Sequence, residues 1–249
     1  MAENSRLSFI DALRGIAVLL VLLVHCYQFG DNSFLPATLQ NVIYGGKYGV
    51  QLFYIISAFT LFLSLDRRGE GTGRQGNLKF FLRRFFRIAP LYYLAIAFYT
   101  GWNLWANQQS PAVTGLLTHL TFTHGLDPYH INSTVPAGWS IGVEMSFYLL
   151  VPFLFTRIRD LNQSVQFLLF SLLCAFVLRY VLIAYPLVAD ADAWGSYLYF
   201  FLPAQLPVFA LGFVFFFMVK PGESRRRVST ETLVAGALLS VVLVLGAAP

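Results

Sequence analysis

Apolar runs long enough to cross a bilayer recur along this chain at about 9–29, 46–65, 88–105, 139–155, 164–185, 196–219 and 231–248. In hydrocarbon, every backbone N–H and C=O must find its partner within the protein, so such runs are confined to helix. About twenty residues at 1.5 Å each match the apolar thickness of a membrane. The sequence therefore predicts an all-α integral membrane protein, a polytopic bundle of seven transmembrane helices. Segment 112–123 is too short and too polar to span and reads as a short re-entrant or surface helix on the outer side. Composition agrees: 57% of residues are hydrophobic and only 12% are charged, against roughly 25% charged in soluble domains. The first run is too long for a cleavable signal peptide, and no small-residue cleavage site follows it.

Basic residues orient the bundle. Arg6 and Arg14, the stretch from Arg67 to Arg87, Arg157 with Arg159, and Lys220 with Arg225 to Arg227 all fall at alternate membrane faces. The opposite loops, 30–48, 106–138 and 186–195, hold one basic residue, Lys47. By the positive-inside rule the N-terminus is cytoplasmic and the sparse loops are external. The net charge of +5 is thus a topology signal, with no call for a nucleic-acid partner. Membrane lipid is the expected surrounding. Cys26 and Cys174 both lie within runs and do not form a disulfide framework; Cys26 reads as a small packing residue.

The first run carries Asp11, Arg14 and His25. An ionisable group at mid-membrane costs roughly 2.5–3.5 kcal/mol on insertion scales, so it defaults to a functional or paired role. Arg14 and His25 share a helix face about 16 Å apart along the axis, a fixed cation near one surface and a titratable base near the other. Asp11 and Arg14, three apart, make either a local ion pair or a cofactor contact. His25 lies roughly 7 Å below the outer end of its helix, and Glu144 about 9 Å below the start of the fourth. At matching depth, Glu144 either orients the imidazole, serves as base itself, or locks two helices structurally.

Arg83, Arg84 and Arg87 precede the third span in blocks alternating with phenylalanine. They are read either as interfacial anchors or as a phosphate cradle for a cytosolic cofactor, since guanidinium forks bind phosphate bidentately. Arg84 and Arg87 share a face suited to two-point binding. Arg179, within the fifth run, faces a polar cavity or snorkels. His119, His124 and His130 have no firm metal-ligand spacing, although the first two could converge, and no metal is expected.

Four blocks, in order, resemble acyltransferase family 3, membrane enzymes that acylate surface sugars and related acceptors. They are Leu7-Ser8-Phe9-Ile10-Asp11-Ala12-Leu13-Arg14-Gly15 followed by His25; Gly49-Val50-Gln51-Leu52-Phe53-Tyr54-Ile55-Ile56-Ser57-Ala58-Phe59; Arg83-Arg84-Phe85-Phe86-Arg87-Ile88-Ala89-Pro90; and Trp139-Ser140-Ile141-Gly142-Val143-Glu144-Met145-Ser146-Phe147-Tyr148. Ala58 departs from a position where the family has glycine, and family members carry more spans than the seven read here. The chain is accordingly taken as a single transmembrane acyltransferase domain over 1–249, incomplete at its C-terminus.

The resemblance implies transfer of an acyl group, commonly acetyl, from cytosolic acetyl-coenzyme A to a hydroxyl of a carbohydrate or related acceptor at the outer face of a bacterial inner membrane. By position it implies His25 as the catalytic histidine, Arg14 as its partner, Arg84 and Arg87 as the donor-binding pair, and Glu144 as the acidic residue. His25 would act as general base or as acyl carrier. The rival reading is a transporter or flippase for a glycan or organic acid, using the same charges as a path; the related halves and broken helices of many transporters are not visible here. A purely structural membrane subunit is the third.

Overall fold

The computed structural model describes residues 8–30, 35–68, 73–106, 108, 110–220, 228–229 and 232. Among these, regular structure is entirely helical. The helices are α1 (Ser8–Phe29), α2 (Ala37–Tyr44), α3 (Gly49–Arg68), α4 (Gly73–Ala106), α5 (Val113–Leu120), α6 (Trp139–Arg157), α7 (Leu161–Ala184), α8 (Ala191–Phe200) and α9 (Leu202–Val219). A 3₁₀ turn, Gly45–Tyr48, welds α2 to α3, and another, His124–Leu126, follows α5.

Five stretches are long and apolar enough to cross a membrane: Phe9–Gln28, Ala37–Arg68, Trp139–Arg157, Leu161–Ala184 and Ala191–Val219. The expected seven are therefore not all recovered. Run 88–105 forms the second part of α4, where tyrosines, tryptophans and Asn103 dilute the hydropathy. Run 231–248 lies outside the described residues, Thr232 excepted. Two further differences concern boundaries. The arginine block is no separate interfacial segment but the interior of the 34-residue α4, which continues through Pro90. At 1.5 Å per residue this helix is about 50 Å long, well beyond the apolar thickness of a bilayer. The run at 196–219 is broken at Phe201, extended at φ −62° and ψ 152°, before α9 restarts with Pro203 in its first turn, where the missing N–H costs nothing.

Aromatic rings fill the space between α3, α6 and α9. Phe147 stacks on Phe209 at 3.8 Å between ring centroids, Phe62 on Phe213 at 4.0 Å, and Tyr54 on Phe209 at 4.3 Å. The close approach of α9 to α3 depends on Gly212, because a Cβ there would strike the Ile55 carbonyl and lie 2.6 Å from Ala58 Cβ. Ala58, the position departing from the family pattern, is thus accommodated by a glycine on the facing helix, the small-against-small contact that packs membrane helices without a hydrophobic drive. α1 is held along its inner edge by a second glycine seam. A Cβ on Gly46 would sit 2.5 Å from Leu20 O, and one on Gly49 2.7 Å from Ala17 O. The rest of α1 is largely uncovered, and Cys26 is exposed there instead of packed inside.

Candidate active site

Glu144 lies one and a half turns into α6, only 4% exposed. Its Oε1 accepts hydrogen bonds from Ser57 Oγ on α3 and from Tyr148 Oη, both at 2.6 Å. Tyr148 stands four residues on, hence on the same helix face. The line of polar groups continues away from Glu144. Thr60 Oγ1 donates to the Ser57 carbonyl at 3.1 Å and accepts from Arg14 Nη2 at 3.2 Å, and Arg14 Nη1 pairs with Asp11 Oδ1 at 3.3 Å. Arg14 and Asp11 therefore do form the local pair, and Arg14 is tied through α3 toward Glu144.

The arginine block meets the same group from α4. Arg87 lines a cavity of about 320 Å³ together with Tyr92, Glu144 and Tyr148. Arg84 is half-buried with its guanidinium 5.8 Å from the Phe80 ring centre. Burial pulls its pKa below the usual arginine value, while the Tyr148 and Glu144 side chains oppose that pull. Arg83 is exposed.

His25 sits elsewhere. It lines a separate cavity of about 460 Å³ with Lys47, Asn132, Trp139 and Tyr199. Its Nδ1 lies 2.7 Å from Val21 O. A carbonyl only accepts, so Nδ1 carries the hydrogen and Nε2 of the neutral ring keeps its lone pair for chemistry. The structure does not bring His25 and Glu144 into hydrogen-bond contact. Equal depth on two helices is not adjacency, and the carboxylate is already engaged by Ser57 and Tyr148. Between them lies a third cavity of about 200 Å³. It shares Phe53, Ile141 and Glu144 with the arginine cavity, and Val21 and Val50 with the His25 cavity. Three cavities with common walls thus follow one another from Arg87 past Glu144 to His25.

The segment between α5 and α6 is pinned by a second constellation. The rings of His119 and His124 are fully buried and stacked at 4.1 Å between centroids, 11° apart. α5 ends at Leu120 and the chain reverses through Phe122 at φ 59°, which brings side chains five apart together. Tyr92 of α4 covers the stack and its hydroxyl lies 3.2 Å from His124 Nε2. Burial, then the neighbouring His124, pushes His119 down to about 4, and burial lowers His124 as well. His130 pairs with Asp127 at 2.6 Å. Among the described residues no three metal-ligating side chains converge. Arg179 is exposed beside a cavity of about 410 Å³ between α7 and α8.

Ser57, Thr60 and Lys47 are site residues that sequence reasoning passed over. Tyr148 had a readable signal in its four-residue spacing from Glu144, and Lys47 in being the single cation of loops 30–48, 106–138 and 186–195.

The model of acyltransferase family 3, an acyltransferase domain, matches residues 7–249, and the chain belongs to that family. It is also 24% identical over 173 residues to the regulator of hypoxia-inducible factor 1 of Caenorhabditis elegans, a match covering 60% of this chain and 34% of that protein. The matched stretch spans about a third of that relative's length. No solved structure matches the chain.

Proposed function

We propose that this protein is a multi-pass membrane acyltransferase. It moves an acyl group, acetyl in the simplest case, from a cytosolic acyl-coenzyme A to a hydroxyl of a carbohydrate or related acceptor at the outer face. Its N-terminus is cytoplasmic, and its setting is a bacterial inner membrane. The observation that carries this reading is the succession of cavities from Arg87 through Glu144 to His25. The donor chemistry fits the residues present: two guanidinium groups, Arg84 and Arg87, on one stretch of α4 suit a polyphosphate, and the mostly apolar middle cavity suits an extended uncharged arm.

The bound donor supplies an activated thioester. The chain's own residues do the rest. Arg84 and Arg87 hold anionic oxygens at the cytoplasmic end. Ser57 and Tyr148 fix the Glu144 carboxylate at the waist of the path. At the outer end His25 Nε2 takes the proton of the acceptor hydroxyl; the hydroxyl oxygen bonds to the acyl carbon, the carbon–sulfur bond breaks, and the proton passes from the imidazolium to the departing sulfur. Arg14 acts as a positioning residue through Thr60.

The test uses protein in lipid nanodiscs with radiolabelled acetyl-coenzyme A. His25→Ala is expected to retain donor and abolish acyl turnover, and Arg84→Ala/Arg87→Ala to lose donor retention. Full turnover by His25→Ala, or unchanged donor retention by the double variant, would overturn the assignment. Acceptor flux without donor consumption would make the protein a transporter.

A further inference from the structure

Loops 30–48, 106–138 and 186–195, read as external, hold one basic side chain, Lys47. The structure puts that side chain in the wall of the His25 cavity. Its ammonium stands 4.1 Å from the ring centre of Tyr44 and 5.3 Å from that of Tyr48, so two aromatic faces hold it. The backbone beneath it is equally fixed: Gly46 and Gly49, on either side, are in contact with α1 at Leu20 and Ala17, a turn or two below His25. Among the described residues, the cavity wall contains this one cation and no carboxylate. Asp127, in the same inter-helix segment as the wall residue Asn132, is already paired with His130.

A half-buried cation that shares a cavity with the reacting histidine, with no carboxylate among the described residues of the wall, selects for negative charge on whatever enters. The rest of the lining supplies an exposed ring, Tyr199, and the amides of Gln28 and Asn132. Rings stack on the C–H faces of a pyranose, and amides both donate to and accept from hydroxyls. We infer that the acceptor is an acidic saccharide whose anionic group pairs with Lys47 while the hydroxyl to be acylated faces His25. This rests on the reading of the His25 cavity as the acceptor site.

The test is a binding measurement that needs no donor. Protein in phosphatidylcholine nanodiscs is titrated with the β-1,4-linked tetramer of glucuronic acid and with cellotetraose, which differ only at C6. The wild type is expected to prefer the acidic tetramer by about tenfold at low salt, the size of one partly screened charge pair. The preference should shrink at high salt, vanish in Lys47→Gln and persist in Lys47→Arg. Equal affinity for the two sugars, no binding of the acidic one, or a preference that survives Lys47→Gln would each overturn the inference. So would loss of saccharide binding in phosphatidylglycerol discs, which would give Lys47 to a lipid head group. A preserved preference with no acyl transfer sinks the enzymatic reading alone; transfer without the preference sinks this one alone.

Discussion

Replacing Ser57 by alanine removes one of the two hydroxyls that donate to Glu144 at 2.6 Å and leaves the carboxylate, 4% exposed, with Tyr148 only. A hydrogen bond to a charged acceptor is worth about 1.5–3 kcal/mol, and a charged group left short of partners in low dielectric gives up most of that. For a chain of this size, about 2–4 °C of thermal midpoint per kcal/mol puts the loss at roughly 3–12 °C. Tyr148→Phe should cost a similar amount. The double variant should lose more than the sum, because Glu144 then has neither donor and the two hydroxyls share one oxygen. Glu144→Gln, which keeps an acceptor oxygen for both, should be milder than Glu144→Ala. The assay is thermal unfolding followed by intrinsic fluorescence in nanodiscs, with acyl transfer measured well below the midpoint. A Ser57→Ala midpoint within a degree of wild type, or strictly additive single and double variants, would show that the Glu144 bonds do not hold α3 to α6.

Two further outcomes follow from the packing and the buried histidines. Gly212→Ala should destabilise by about 1–3 kcal/mol, because the new methyl meets the Ile55 carbonyl and Ala58 together; adding Ala58→Gly should rescue it only in part, since the carbonyl stays, and an unchanged unfolding midpoint would refute the close contact. His119, held at about 4 when folded against about 6.5 when exposed, binds its proton first in the unfolded chain. Its contribution is therefore complete above pH 6.5 and is lost as pH falls toward 4, in an environment shared with His124, Tyr92, His130 and Asp127. The hydrogen-exchange protection of residues 113–138, taken relative to the intrinsic rate at each pH, should fall across that window, and less so in His119→Gln; unchanged protection in the wild type would refute it.

Hydropathy made the helical architecture and its membrane-length helices legible, since it is a property of whole segments. The short helices α2 and α8 were not legible: eight and ten residues vanish inside a window of membrane length, and 30–48 and 186–195 read as loops. The Asp11–Arg14 pair could be read because its partners lie three apart on one helix. Ser57 and Thr60 could not, since their partners are 87 and 46 residues away and only the crossing of α3 with α6 and α1 joins them. Depth counting put His25 and Glu144 level, but depth leaves out the angle around each helix, and that angle turned Glu144 toward Tyr148. The convergence of His119 with His124 needed the chain reversal at Phe122, which spacing alone does not state.

The glycine seam along α1 has a consequence for the product. With no side chain between Gly46 and Leu20, the turn bearing Lys47 cannot slide along the helix bearing His25 without backbone meeting backbone. The spacing from charge to imidazole is therefore a built-in ruler. Under the proposed transfer, an acceptor anchored by its acid group would present to His25 only the hydroxyl at that one distance, and regiochemistry would then be written in two residues that lack a side chain.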